Sequence, residues 1–255
     1  MSLAQQKLER KIKQQPYARI PQRTIDWFKA RERCVITASE TKYLLGPFNT
    51  QQYMNFTEHK ARGETIPQYT NAAMQWGEEK EPEARLVYEL ITGNKVLETG
   101  LWLSEYYPEF GASPDGIIIS DHLPEYALLE IKCPYSRQFT GDPGEIPLDW
   151  ITQITFTRSV IGGEIAPAHL MIYIPKEEKT FIFNIRPSPG LITELLNRAI
   201  YTSRKIHQMR DEDHPYADME YRSNVVKNYK FDPYKSLRRA VKEMDMDIAE
   251  IKRIY

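Results

Sequence analysis

Cysteine is scarce in this chain: Cys34 and Cys133 are the only two among 255 residues. Two thiols cannot build a disulfide framework, which points to a reducing compartment. No apolar run approaches the ~20 residues that span a bilayer, so no membrane segment is expected. The stretch Met1 to Gln15 is polar and basic and lacks the apolar core of a signal peptide. An intracellular, non-secreted protein is therefore expected. A charge excess is missing too. Lys plus Arg number 34 and Asp plus Glu 35, a net charge of -1, which excludes the strongly basic coat of a general nucleic-acid binder. The histidines (His59, His122, His169, His207 and His214) show no metal-ligand spacing, so a zinc centre is not expected. No Gly-x-x-x-x-Gly-Lys-Ser/Thr loop is present, which argues against ATP-driven activity.

What is there suits a globular chain. Hydrophobic residues make up 41%, enough apolar mass to offset the entropy of ordering. The length favours one large domain. Charge is unevenly placed: residues 1–33 hold nine basic side chains against three acids, a local net of +6. A basic pole on a near-neutral chain reads as a solvated basic helix first, and otherwise as a surface that contacts a polyanion.

Periodicity and turn signals predict the elements. Ala4 to Gln14 reads as a helix or frayed arm, and Thr24 as the N-cap of a helix holding Asp26, Trp27 and Phe28. Thr37 to Leu45 reads as a short helix, residues 49–70 as weakly helical, and Asn71 to Ile91 as a long helix closed by Thr92-Gly93-Asn94. Strands are expected at Lys95 to Leu103, Ile117 to Ser120 and Ala127 to Cys133, followed by a Pro/Gly-rich loop over 134–147. Leu148 to Val160 reads as a helix, His169 to Ile174 and Thr180 to Ile185 as a hairpin, and Pro189 to Met209 as a helix. The tail, 211–255, is polar and Tyr-rich, with helix expected near its end. The order predicts an α/β (α+β) domain with a mixed sheet.

The chemistry concentrates in Ser113-Pro114-Asp115-Gly116 and in Leu129-Glu130-Ile131-Lys132-Cys133-Pro134. On a strand, Glu130 and Lys132 share one face and Leu129, Ile131 and Cys133 the other. Charges pointing off a buried strand need a partner or a metal. Asp115, at a Pro-Asp-Gly turn, can reach Glu130 on a neighbouring strand. Two carboxylates and a lysine make a hard oxygen site for Mg²⁺ or Mn²⁺ and a water nucleophile, the logic of metal-assisted phosphodiester hydrolysis.

These residues resemble the PD-(D/E)xK nuclease signature. More narrowly, they resemble the phage lambda exonuclease (YqaJ-type viral recombinase) family, related to the herpesvirus alkaline nucleases. Three further segments share the resemblance. Trp76-Gly77-Glu78-Glu79-Lys80-Glu81-Pro82-Glu83-Ala84 is similar to a family helix bearing an extra active-site acid, which falls on Glu81, with Glu78 as the alternative register. Trp27 to Ser39 is similar to a segment whose Arg and Ser bind a DNA 5′-phosphate. The Ser falls on Ser39, and the Arg on Arg31, with Arg33 as the alternative, because the interval to Ser39 is one residue longer than the family pattern. Ser113 would assist. Leu148 to Thr155 is similar to an aromatic-x-x-Gln-x-Gln helix; the first Gln falls on Gln153, and Thr155 replaces the second.

The resemblance spans roughly residues 27–185. It implies a restriction-endonuclease-like core, a mixed central β-sheet flanked by helices. The expected layout is a single nuclease domain over 1–255, with its core at about 24–210, a basic arm at 1–20 and an extension at 211–255. It also implies a Mg²⁺-dependent 5′-to-3′ exonuclease on linear double-stranded DNA, serving viral or phage recombination, in bacterial cytoplasm or an infected host cell. Asp115, Glu130 and the Ile131 carbonyl would hold the metal, with Glu81 as an outer or second-metal acid. Lys132 and Gln153 would act on water or phosphate. Implied partners are double-stranded DNA ends and a single-strand annealing protein, and the assembly is a homo-trimer or a monomer. The rival readings are an endonuclease or RNA-cleaving nuclease of the same fold, and a catalytically silent DNA-end-binding protein.

Overall fold

The computed structural model describes residues 3–64, 71–120, 126–136, 138–162, 168–210 and 249–255. In chain order the elements are helix α1 (Leu3–Gln14), α2 (Ile25–Glu32), strand β1 (Ile36–Thr37), a 3₁₀ segment (Ala38–Leu44), α3 (Gln51–Ala61) and α4 (Ala72–Thr92). Strands β2 (Lys95–Leu97), β3 (Trp102–Leu103), β4 (Phe110–Ala112), β5 (Gly116–Ile119) and β6 (Ala127–Lys132) follow. Then come α5 (Leu148–Ile161), β7 (Ala168–Ile174), β8 (Lys179–Pro187), α6 (Pro189–Arg210) and β9 (Ala249–Arg253).

A six-stranded sheet runs in the order β2-β5-β6-β7-β8-β9. Its β6–β7 pair is parallel and the other pairs are antiparallel. The parallel pair is joined by α5, the crossover that parallel strands require. Helices cover both faces. On one face Ala84 and Tyr88 of α4 pack on Ile118, Leu129, Ile131 and Met171. On the other, α5 and α6 bury Ile151, Ile154, Phe156, Leu191 and Leu195 against Leu128, Leu170 and Phe183. This is the mixed sheet flanked by helices that the sequence predicts. A smaller three-stranded sheet, β1-β4-β3, carries β1 parallel to β4.

Helix ends follow local chemistry. Asn71 caps α4 by accepting a bond from the Met74 amide at 2.9 Å. Gly93 ends it in the left-handed region, φ 70°. Thr24 caps α2 through the Trp27 amide.

Two expectations fail. Lys95 to Leu103 is not one strand: β2 and β3 lie in different sheets. Between them the Gly100 and Leu101 amides donate to the Ala18 and Tyr17 carbonyls at 2.7 and 3.2 Å. A Cβ on Gly100 would stand 2.1 Å from the Ile20 carbonyl oxygen, so only glycine lets the two backbones meet there. The end of the chain is also not helical. Ala249–Arg253 forms β9, antiparallel to β8. The Tyr-rich stretch over 211–248 lies outside the described residues, as do 65–70 of the segment expected to be weakly helical.

Candidate active site

The β5–β6 register pairs Gly116 with Leu129. Continued by one residue, it sets Asp115 opposite Glu130, on the same side of the ribbon. The Ile131 amide donates to Asp115 Oδ2 at 2.7 Å, which fixes the turn against the strand. Gln22 secures the turn from behind, its amide donating to the Pro114 and Thr99 carbonyls, each at 2.8 Å.

Glu130 is 4% exposed. Its Oε1 accepts from Lys132 Nζ at 2.7 Å and from Gln153 Nε2 at 2.5 Å. Lys132 Nζ also donates to Gln153 Oε1 at 3.0 Å, closing a ring of three side chains. Gln153 reaches the ring because α5 crosses the face of β6 that carries Glu130 and Lys132. Thr155, in the place of a second Gln, is buried and bonds back to the Ile151 carbonyl at 2.6 Å; it faces the core.

Glu81 is turned to two arginines. Arg23 Nη2 reaches Oε2 at 2.5 Å and Arg85 Nη2 reaches Oε1 at 2.7 Å. Arg85 Nε also donates to the Asp115 carbonyl at 3.2 Å, tying α4 to the turn. Glu78, the alternative register, is exposed.

The second cluster begins two residues before Asp115. Ser113 Oγ accepts from Trp27 Nε1 at 3.0 Å. The Arg31 guanidinium lies 5.2 Å from the Trp27 ring centroid and donates to Thr37 Oγ1 at 3.0 Å and Ser39 Oγ at 2.6 Å. Arg33 turns away, to Tyr17 OH at 2.7 Å. The geometry thus gathers Arg31, Ser39 and Ser113 around Trp27 and leaves Arg33 outside.

The sequence pattern of the YqaJ-like viral recombinase domain matches residues 26–162, just over half of the chain. The chain belongs to this family. It is also similar to the crystal structure of an alkaline exonuclease, LHK-Exo, from Laribacter hongkongensis, with 26% identity and a TM-score of 0.62 over 74% of this chain and 95% of that one. The structure of LHK-Exo in complex with dAMP matches to the same extent. No curated protein matches significantly. Family and likeness together make this YqaJ-like chain a nuclease of the alkaline-exonuclease and recombinase type, with a fold of the exonuclease kind. No helix among the described residues is long and apolar enough to cross a membrane.

Electrostatics in the YqaJ-like centre are lopsided. Burial raises the Asp115 carboxyl well above the usual range. The Glu130 and Glu81 carboxylates raise it further, against the pull of Lys132 and the Ile131 amide. Burial alone would lower the Lys132 ammonium. Glu130 and Asp115 outweigh it and hold the group above its ordinary value, so Lys132 is charged. Asp149, one turn before Gln153, adds to this field, and its Oδ1 is buried without a hydrogen-bond partner. Carboxylate pressure on Asp115 is what an added cation would relieve. Among the described residues no three acidic, His or Cys side chains converge as a ready metal cluster. Two carboxylates and a carbonyl nonetheless suit Mg²⁺, which keeps several waters.

Sequence reasoning missed Arg23, Arg85 and Gln22, and gave Thr37, part of the segment from Trp27 to Ser39, no role of its own. Arg23 had one local mark, visible only in the backbone: a non-glycine residue at φ 66°, a costly conformation found at constrained sites.

Proposed function

We propose that this nuclease hydrolyses phosphodiester bonds of linear double-stranded DNA from its 5′ ends, with Mg²⁺ as cofactor and Mn²⁺ as a substitute, in recombination or DNA processing. One observation carries the reading. The turn Ser113-Pro114-Asp115 places a hydroxyl in the Trp27–Arg31–Ser39 cluster and, two residues later, a carboxylate opposite Glu130. An end-anchoring pocket and a hydrolytic centre thus share one rigid turn.

Asp115, Glu130 and the Ile131 carbonyl would hold the ion, which when bound supplies positive charge to the reacting phosphate and acidifies water. The protein's own groups do the rest. The Lys132 ammonium hydrogen-bonds water or a phosphate oxygen and offsets developing negative charge. Gln153 fixes Lys132 and offers its amide to the same space. Arg31 grips a terminal phosphate through charge-assisted bonds, with Ser39 and Ser113 as added donors. Glu81, held by Arg23 and Arg85, shapes the field at Asp115 from outside.

The test is digestion of one duplex as a linear form, with and without 5′-phosphate, beside its closed circle, in Mg²⁺ and then in chelator. Loss of the linear form alone, faster with the phosphate and abolished by chelator, supports the reading. Cutting of the circle moves it to an endonuclease. Cutting of neither, with DNA still bound, leaves a silent end-binding protein or an RNA substrate.

A further inference from the structure

Trp76 stands on the N-terminal part of α4, five residues before Glu81, which is about 7.5 Å along a helix axis. Tyr135 follows β6 by three residues, at most about 10 Å of chain beyond Lys132. The two rings meet edge to face with centroids 6.0 Å apart. Lys176, on the turn after the neighbouring strand β7, holds its Nζ 4.5 Å from the Trp76 centroid and 4.4 Å from that of Tyr135. Lys80 lies 5.4 Å from the Trp76 ring. Three elements that leave the hydrolytic centre therefore converge on one aromatic and cationic surface.

The pattern is unlike core packing. Tyr135 is 45% exposed and Lys176 is exposed. Trp76 Nε1 is buried without a hydrogen-bond partner, so contacts alone position the ring. Nearby ammonium groups pair with acids, Lys80 with Glu83 and Lys179 with Glu177. Lys176 instead rests on the rings, where it neutralises no carboxylate among the described residues. A ring face closed by a swinging ammonium opens to another flat π system, and the displaced cation then meets that ligand's phosphate.

We propose that Trp76, Tyr135 and Lys176 form a stacking subsite for an unpaired base of the DNA strand, a nucleotide or two from the bond being cut. The proposal rests on the nuclease reading above and adds the place where a strand freed from its duplex is held. Stacking on rings is tolerant of base identity, which suits an enzyme working through any sequence.

The test is a coupling measurement. A fluorescent, 5′-phosphorylated single strand of about a dozen nucleotides is bound in EDTA, with one abasic residue moved through its first few positions. In the wild-type chain one position is expected to weaken binding about tenfold when its base is removed. In Tyr135→Ala the intact strand should bind about tenfold more weakly, and the abasic residue should cost nothing further. Lys176→Met, on an exposed turn where folding is not at stake, should weaken binding severalfold and shrink the abasic penalty. An abasic penalty equal in wild type and variants, or absent from the wild type, overturns the subsite. If wild type digests linear duplex yet shows no such coupling, the subsite alone falls. If it neither binds nor digests DNA, the nuclease reading falls with it.

Discussion

Arg31 Nη2 meets Ser39 Oγ at 2.6 Å, while Arg33, two residues further along, bonds Tyr17 instead. The short strand β1 brings Thr37 and Ser39 back over the end of α2, where Arg31 and not Arg33 meets them.

Arg31→Ala is therefore expected to erase the advantage of a 5′-phosphorylated end, a loss of about tenfold to a hundredfold for a charged hydrogen-bonding group. Arg33→Ala should leave that advantage intact. Initial digestion rates of phosphorylated and unphosphorylated linear duplex, compared for the two variants, check this. An equal effect of both would sink the pocket.

Asp115→Asn should separate activity from stability. Burial and two neighbouring carboxylates hold the Asp115 carboxyl above its ordinary range, so the fold disfavours its ionised form, and the stability given by its protonated form below the usual carboxylate range is lost as pH rises from that range through the raised value. Asparagine removes that charge and keeps an oxygen for the Ile131 amide. Melting at pH 8 should rise by roughly 2 °C or more, while DNA hydrolysis falls by about three orders of magnitude. Added Mg²⁺ should raise the melting temperature of the wild type more than that of the variant. A variant that melts lower and ignores pH would contradict the electrostatic reading.

His169 is expected to set the acid limit. It shares a 2.7 Å hydrogen bond with Tyr88 OH, and burial lowers its pKa to about 4. A depressed histidine contributes stability that is present above its unfolded value of about 6.5 and lost as pH falls towards 4, roughly 3 kcal/mol in all. His169→Gln should flatten urea stability over that range. An unchanged slope would show that other groups govern acid unfolding.

Gly100→Ala should destabilise the chain by about 3 kcal/mol, because both nearest atoms, the Ile20 and Tyr17 carbonyl oxygens, are backbone. The same segment leads to Gln22 and Arg23, so activity should fall more than thermal stability alone explains. Chemical denaturation and duplex digestion measured side by side decide it.

The sequence reading succeeded where chemistry is local. Alternation along 127–133 placed Glu130 and Lys132 on one face, and the Pro-Asp-Gly turn put Asp115 within reach of Glu130, which the β5–β6 register bears out. It failed where position depends on distant backbone. The break between β2 and β3 exists because Gly100 docks on the 17–20 loop, and β9 is a strand because the edge of β8 is there to pair with it. Arg23 and Arg85 carry no motif. Their importance comes from both reaching Glu81, a meeting of α4 with a loop 58 residues away in sequence from that acid.

The most direct test of the account is nucleotide release from 5′-phosphorylated linear duplex by wild type and by Lys132→Met, in Mg²⁺, with circular dichroism confirming that both are folded. The account predicts release by the wild type and none by the variant, since among the described residues no other ammonium joins Glu130 and Gln153. A folded Lys132→Met protein that releases nucleotides at the wild-type rate would contradict it.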